Sequence, residues 1–299
     1  MARRSKPIWQ TRAEALAILI LLKAPLVLPF ALRRCAVAWL MRNLVSPLAG
    51  YSDRIRANLD YVCPDLPEAE KRRLIREVPG NVGRMLIELA SGDKFLDLLR
   101  DEPITGPGVA ALEQAKAEGR PIIVVSGHFG NFDAIRGALA LRGYKIGALY
   151  RPLDDPRLET AFHTMLTHIA DPVFPRGRSG LGQMLRFLKK GNTIALLLDQ
   201  YVHEAAPLSF FGKPAPTSLS AAEMALKYKA LLIPVYGIRR ADGSFELRIE
   251  SEIPHSSAPV MTQALNDDLE RMIRAHMDQW LWIHRRWKPE RQAKRRKRS

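Results

Sequence analysis

Cysteine is scarce in this chain: two in 299 residues, Cys35 and Cys63. They form no CxxC pair, and one lies beside an apolar N-terminal stretch, so no structural disulfide is expected and the usage fits a reducing compartment. A Gly-x-Ser-x-Gly elbow is missing too. Ser126 precedes Gly127 and His128 without the required glycine spacing, so no covalent acyl-serine is indicated. No metal is expected, because His163 and His168 are five apart and do not stack on one helical face as i, i+4 ligands do. There is no internal repeat and no nucleic-acid-binding motif. Acidic residues are the minority, 31 against 46 Lys and Arg, which leaves a net charge of +15 and points to an anionic partner. From Arg285 onward nine Lys or Arg stand with one Glu, so much of the excess lies in a terminal tail and not over a folded binding face. On a membrane-bound protein such a tail attracts anionic headgroups.

What the chain does have is enough length for one large α/β domain, with 47% hydrophobic residues. Ala13 to Leu32 is apolar except for Glu14 and Lys23, about the length of one hydrocarbon core if helical. Lys23 near its middle and Pro25 and Pro29 argue against a simple lipid-exposed span. Ala36-Val-Ala38 resembles a cleavage site, but Arg33 and Arg34 precede it. The expectation is an uncleaved anchor, spanning the bilayer or lying in one leaflet. Three regions follow: an anchor or interfacial segment over 1–45, a catalytic domain over 46–288 and a basic tail over 289–299.

The centre of the domain is Ile122-Ile-Val-Val-Ser-Gly-His-Phe-Gly-Asn-Phe-Asp133. Ile122 to Ser126 is unbroken and mostly β-branched, as in a strand covered on both faces. Gly127 breaks it and places His128 beyond the strand's carboxyl end, where open α/β sheets carry their chemistry. Asp133 follows at the start of an apolar helical pattern. A carboxylate that fixes the imidazole tautomer leaves the other ring nitrogen free to take a proton. Gly127 and Gly130 let backbone approach a ligand closely.

Before this run, helices are predicted from Leu66 and over 82–90. After it come strands at Tyr144 to Tyr150, Val173-Phe174 and Thr193 to Leu198, alternating with helices over 156–169 and 181–190, which indicates a largely parallel sheet. Residues 207–217 read as a loop, and 218–229 as a helix. Leu231 to Ile238 is a strand whose Pro234 suggests a sheet edge or the strand's start. Phe245 to Glu250 returns antiparallel after Asp242-Gly243, making the sheet mixed. Leu265, Leu269, Met272, His276, Trp280 and Ile283 trace one face of a long closing helix.

The spacing His128-x4-Asp133 resembles the HX4(D/E) signature of glycerolipid acyltransferases. Further motifs are similar to the lipid A late acyltransferases: Arg56-Ala-Asn-Leu59 with Cys63-Pro64, Tyr150-Arg-Pro152, Asp199-Gln200, Phe210-Phe-Gly-Lys-Pro-Ala215, Ile233-Pro234 and Trp282-Ile-His-Arg-Arg-Trp287. The resemblance implies a glycerolipid-acyltransferase-like αβα sandwich with an N-terminal membrane helix. It implies acyl transfer from a thioester, on acyl carrier protein or coenzyme A, to a hydroxyl of a lipid A precursor, with no cofactor. His128 would be the general base and Asp133 its orienting carboxylate. Main-chain N–H groups near Gly127 to Asn131, with Gly130 and Asn131 as substrate contacts, or a nearby Arg, would hold the oxyanion. Arg151 is expected to touch substrate phosphates or acidic sugars, and Arg176 and Arg178 either do the same or belong to a solvated loop. Asp199 is either an orienting or Arg-pairing carboxylate or a cap for the following turn. The family tends to carry an Arg where this chain has Phe162-His-Thr-Met-Leu-Thr-His168, so another acceptor, a lysophospholipid, ornithine lipid or glycolipid, stays open. The expected setting is the cytoplasmic face of a bacterial inner membrane, as a monomer contacting membrane lipids and no nucleic acid.

Overall fold

The computed structural model describes residues 8–202 and 205–288. Its sheet grows outward from the strand that the sequence marks most strongly. The strands are β1 (Ile104–Thr105), β2 (Ile122–Ser126), β3 (Ile146–Tyr150), β4 (Val173–Pro175), β5 (Thr193–Leu197), β6 (Ala206–Phe210), β7 (Lys213–Thr217), β8 (Leu231–Arg239) and β9 (Phe245–Ile249). Seven of them form one sheet in the order β1-β9-β8-β2-β5-β3-β4. All neighbours run parallel except β8 and β9, which are antiparallel. All five residues of β2 are buried, with β5 on one side and β8 on the other. On one face, Ile122, Val124 and Ile233 pack against the helices Phe132–Leu141 and Pro156–Ile169. On the other, Ile123, Val125 and Ile194 pack against Arg178–Lys189, Ser220–Tyr228 and Ala258–Ala275. This is the αβα sandwich with a mostly parallel sheet that the sequence implies.

Several elements differ from the sequence reading. Residues 207–217 form most of a hairpin, β6 and β7, instead of a loop. Its Phe211-Gly212 turn has φ of 53° and 65°, the left-handed pair that a two-residue hairpin turn needs. Pro207, Pro214 and Pro216 hide these strands in the sequence, and a two-stranded ribbon tolerates them because both strands are edges. Pro234 is not at an edge: it pairs with Val125 in the interior of the sheet. Its carbonyl accepts from Glu250 N at 3.0 Å, one residue past β9, so its missing donor falls where that ladder ends. The two predicted helices before the sheet are one, Glu68–Ala90, with Pro79 inside it.

The closing helix stops at Ala275, and the chain passes through a 3-10 turn, Met277–Gln279, to bridge Phe129 at Trp280 beyond the sheet's carboxyl end. Leu281 N donates to His128 O at 2.9 Å and Gly130 N to Gln279 O at 2.8 Å, giving this backbone strand-like partners that a continued helix would forgo.

The N-terminal apolar stretch is divided. Ile8–Lys23 is a helix of 16 residues, Pro25 lies in a short 3-10 turn, and Phe30–Leu40 is a second helix starting after Pro29. At 1.5 Å per residue the first is about 24 Å long. No helix among the described residues is long and apolar enough to cross a membrane, so the expected spanning helix is not supported. The second helix instead packs on Glu68–Ala90, where a Cβ on Gly83 would meet Met41 and Val37. The basic tail 289–299 lies outside the described residues.

Candidate active site

Parallel register builds the site. Ser126 of β2 pairs with Leu197 of β5, so the residues two positions beyond each strand, His128 and Asp199, emerge side by side. His128 Nδ1 lies 2.8 Å from Asp199 Oδ1. The other carboxylate oxygen accepts from His128 N at 2.7 Å and from the Trp280 indole N–H at 2.8 Å. Asp199 is buried. Burial alone would raise its pKa, but attraction to His128 and these donors more than compensate and hold it down at about 2. An ionised Asp199 accepts only, so Nδ1 carries the proton and Nε2 is the free base. The Gln200 amide Nε2 sits 3.2 Å from that ring nitrogen. With the tautomer fixed, it must be the amide N–H that faces the ring.

Asp133 does not occupy the position expected of it. Its carboxylate accepts from Arg136 Nε at 2.7 Å, and both side chains are buried. Arg136 also donates to Ala170 O at 2.9 Å and Leu166 O at 3.0 Å, closing the end of the Pro156–Ile169 helix. In this geometry Asp199 makes the contact with the imidazole that the x4 spacing suggested for Asp133. The physical reason is helical phase: Asp133 lies in the first turn of Phe132–Leu141, whose N-cap is Asn131, and the i, i+3 partner Arg136 is nearer to hand.

The loop 128–131 is held along its backbone. Besides His128 N, Gly130 N donates to Gln279 O at 2.8 Å and Asn131 N to Gly237 O at 2.9 Å. These N–H groups are therefore spent inside the fold, and the expected oxyanion donors at Gly130 and Asn131 are not free. Gly130 has φ of 57°, and a Cβ there would collide with the Gly237 carbonyl, so only glycine fits. The Asn131 side chain is fully buried, donating to Glu88 at 2.9 Å and accepting from Asp133 N. Glu88 in turn pairs with Arg239.

The predicted arginines lie at the rim. Arg151 follows β3, is 74% exposed and stands 3.8 Å from Asp154. Arg176 is exposed and contributes its N–H to Tyr150 O at 2.7 Å. Neither touches His128 or Asp199. His168 bonds Asp93 at 2.8 Å and His163 meets Tyr150 edge to face, away from His128. No group of three metal-ligating side chains occurs among the described residues.

A pocket opens beside His128 against one stripe of the Glu68–Ala90 helix, Val78, Val82 and Met85, with Phe132 across from it. Sequence reasoning placed Trp280 on a helix face, yet its ring helps to seal the buried carboxylate. It packs in an aromatic cluster with Phe210, Phe211, Trp282 and Trp287, with Trp282 4.7 Å away edge to face. Behind Gln200, His284 Nε2 accepts from Tyr201 N at 3.1 Å. Burial, opposed by the attraction of Asp199, pushes His284 down to about 4, so it stays a neutral acceptor. The fully buried Arg286 donates to Pro216 O and Thr217 Oγ1, both at 2.6 Å, fixing the closing turn to the hairpin.

The sequence profile of the bacterial lipid A biosynthesis acyltransferases matches residues 6–289. A lipid A biosynthesis acyltransferase of Haemophilus influenzae is 26% identical over 237 residues, 77% of this chain and 73% of that protein. The lipid A biosynthesis lauroyltransferase of Escherichia coli K12 is 24% identical, with 78% of each chain covered. The palmitoleoyltransferase of the same strain is 25% identical over 78% of this chain and 77% of its own. Those two relatives bear different acyl names at nearly equal identity, so identity does not select a chain length. With the match running through both strand ends that carry the site and through the closing turn, the chain belongs to the bacterial lipid A biosynthesis acyltransferases.

Proposed function

We propose that this acyltransferase moves a fatty acyl chain from an acyl carrier protein thioester to a hydroxyl of a lipid A precursor, with His128 as general base and Asp199 as its orienting carboxylate. The observation that carries the mechanism is the ring held by Asp199 at Nδ1, at 2.8 Å, with Nε2 left as the acceptor. The hydroxyl gives its proton to Nε2 and its oxygen attacks the thioester carbonyl. The tetrahedral intermediate collapses to the ester, and the departing thiolate takes the proton back from Nε2. Asp199 stays ionised throughout and stabilises the imidazolium; such a base is worth about 10²–10⁴-fold in rate. The apolar stripe of Val78, Val82 and Met85 receives the acyl chain beside the base. The rim arginines Arg151 and Arg176 meet the anionic head-group.

The protein works as a monomer on the cytoplasmic face of the inner membrane. Eight of the twelve large apolar side chains exposed on the described surface fall between Leu16 and Leu48, which supports an interfacial seat for residues 1–45. The deciding experiment incubates the purified full chain and its His128→Ala variant with acyl carrier protein thioesters and a panel of acceptors. The panel holds a lipid A precursor, a lysophospholipid, an ornithine lipid and a glycolipid, and products are read by mass spectrometry. Ester formed on the lipid A precursor by the wild type and lost in His128→Ala is the expected result. Wild-type turnover by the variant ends the base assignment, and ester on another acceptor alone ends the acceptor assignment.

A further inference from the structure

We propose that Gln200 is a catalytic residue: its side-chain amide N–H holds the oxyanion of the tetrahedral intermediate formed beside His128. The inference rests on the base assignment above and adds the missing electrostatic partner to it.

Acyl transfer needs a donor aimed at the carbonyl oxygen as it becomes negative. Of the five N–H groups in the loop after β2, from Gly127 to Asn131, three are already committed. His128 N serves Asp199, Gly130 N serves Gln279 O and Asn131 N serves Gly237 O. The polar groups lining the pocket are committed as well. Asn81 Nδ2 donates to the Asp278 carbonyl at 2.8 Å and its carboxylate at 3.1 Å. Gln279 Nε2 donates to Arg239 O at 2.8 Å, and the Trp280 indole to Asp199. Gln200 is different. Its amide lies 3.2 Å from His128 Nε2, at the place where the attacking hydroxyl must bind.

The backbone around Gln200 is fixed on both sides while its side chain is exposed. Asp199 is anchored by His128 and Trp280, and Tyr201 N is tied to His284. When the substrate hydroxyl takes over Nε2, the amide loses its resting acceptor and stays within reach of the reacting atoms. A near-attack carbonyl lies about 3–3.5 Å from the hydroxyl oxygen, which puts its own oxygen beside that amide. The N–H is then present as the C–O bond forms and the carbonyl electrons move onto oxygen. It is released when those electrons return and the C–S bond breaks, the thiolate leaving with the proton from Nε2. In the resting enzyme the same group covers the base.

The test uses the full chain with Gln200→Ala, Gln200→Asn, Gln200→Glu and His128→Ala. Lauroyl-acyl carrier protein and a lipid A precursor are the substrates, with thiol release and ester formation both measured. Loss of one oxyanion donor costs about 10²–10³ in kcat, and that is the fall expected for Gln200→Ala, with KM for the thioester little changed. Gln200→Asn keeps an amide one methylene short and falls between. Gln200→Glu is nearly isosteric but has no donor and opposes the negative oxygen, so it is at least as slow as Gln200→Ala. Because the side chain is exposed, all three keep the wild-type thermal midpoint. If Gln200→Ala turns over at the wild-type rate while His128→Ala is dead, the role of Gln200 is wrong and the base assignment stands. A Gln200→Glu enzyme faster than Gln200→Ala overturns the role equally. If His128→Ala stays active, both readings fall together.

Discussion

Asp199 grips His128 twice, through the ring at Nδ1 and through the main-chain N–H, at 2.8 and 2.7 Å. One carboxylate therefore sets both the tautomer and the position of the loop that carries the base. Asp199→Asn puts an amide where the acceptor was. Its N–H faces Nδ1, the ring responds by protonating Nε2, and the base nitrogen is lost. A wrong tautomer at a similar pair costs about 10⁴ in kcat. We expect a fall of that order with little change in KM, read by steady-state kinetics on the purified variant; a kcat near wild type would show that Asp199 does not orient the base.

Asp133→Asn is expected to behave as a stability variant. It leaves the buried Arg136 guanidinium without its anion, and breaking a buried pair this way costs about 3–5 kcal/mol. The measurement is chemical denaturation beside kcat per folded molecule. The denaturation midpoint should drop clearly while turnover falls far less than in Asp199→Asn. An unchanged midpoint with abolished turnover would return the orienting role to Asp133.

The difference between those two carboxylates marks how far the sequence could be read. The buried strand, the histidine at its carboxyl end and the mostly parallel sheet follow from local pattern, and the αβα layering from the family resemblance: Ile122 to Ser126 reads as an interior strand, and His128 then emerges at the rim. The partner of His128 depends on which strand lies next to β2. Residues 126 and 197 are 71 apart, and their pairing is a property of strand order, which periodicity does not encode. Asp133 was near in sequence and Asp199 near in space. Trp280 was misplaced for a related reason. Its spacing from Leu265 and Leu269 continues the helical stripe, but the backbone leaves the helix after Ala275 to pair with His128 and Gly130. The hairpin was hidden by its own prolines. What was legible was thus each element's burial; what was not was the long-range backbone pairing that carries the site.

His284 gives the fold a pH dependence of definite sign. Burial lowers it from 6.5 to about 4 in the folded protein. Its folded value lies below its unfolded one, so the unfolded chain binds the extra proton first. Stability is full above about 6.5 and is lost as pH falls from there toward 4. The loss is at most about 3 kcal/mol, less where solvent reaches the ring. Asp199, held near 2, contributes its own loss only below about 4. Urea denaturation at pH 7.5 and pH 5 separates the two. Wild type should weaken across that interval, and His284→Gln, which keeps an acceptor for Tyr201 N without titrating, should weaken less. Equal slopes in the two proteins would mean His284 is not buried neutral.

The last prediction concerns the surface around the N-terminal helices. Leu16 and Ile20 lie one turn apart on the first helix, and Leu32 and Trp39 two turns apart on the second, all exposed by 54% or more. Side chains of this size gain about 1.5–3 kcal/mol each on full burial, which no contact among the described residues provides. Replacing Leu16, Ile20 and Trp39 with Ser leaves the packed side, Ala15, Leu22 and Val37, untouched. The triple variant should therefore fold as wild type yet bind vesicles containing anionic lipid much more weakly, by at least about tenfold even if each side chain is only partly immersed. Turnover on detergent-dispersed substrate should persist, because none of the three touches His128, Asp199 or the apolar stripe beside them. Vesicle flotation with unchanged binding would show that these residues are not the membrane seat, and the basic tail would then have to supply the attraction alone.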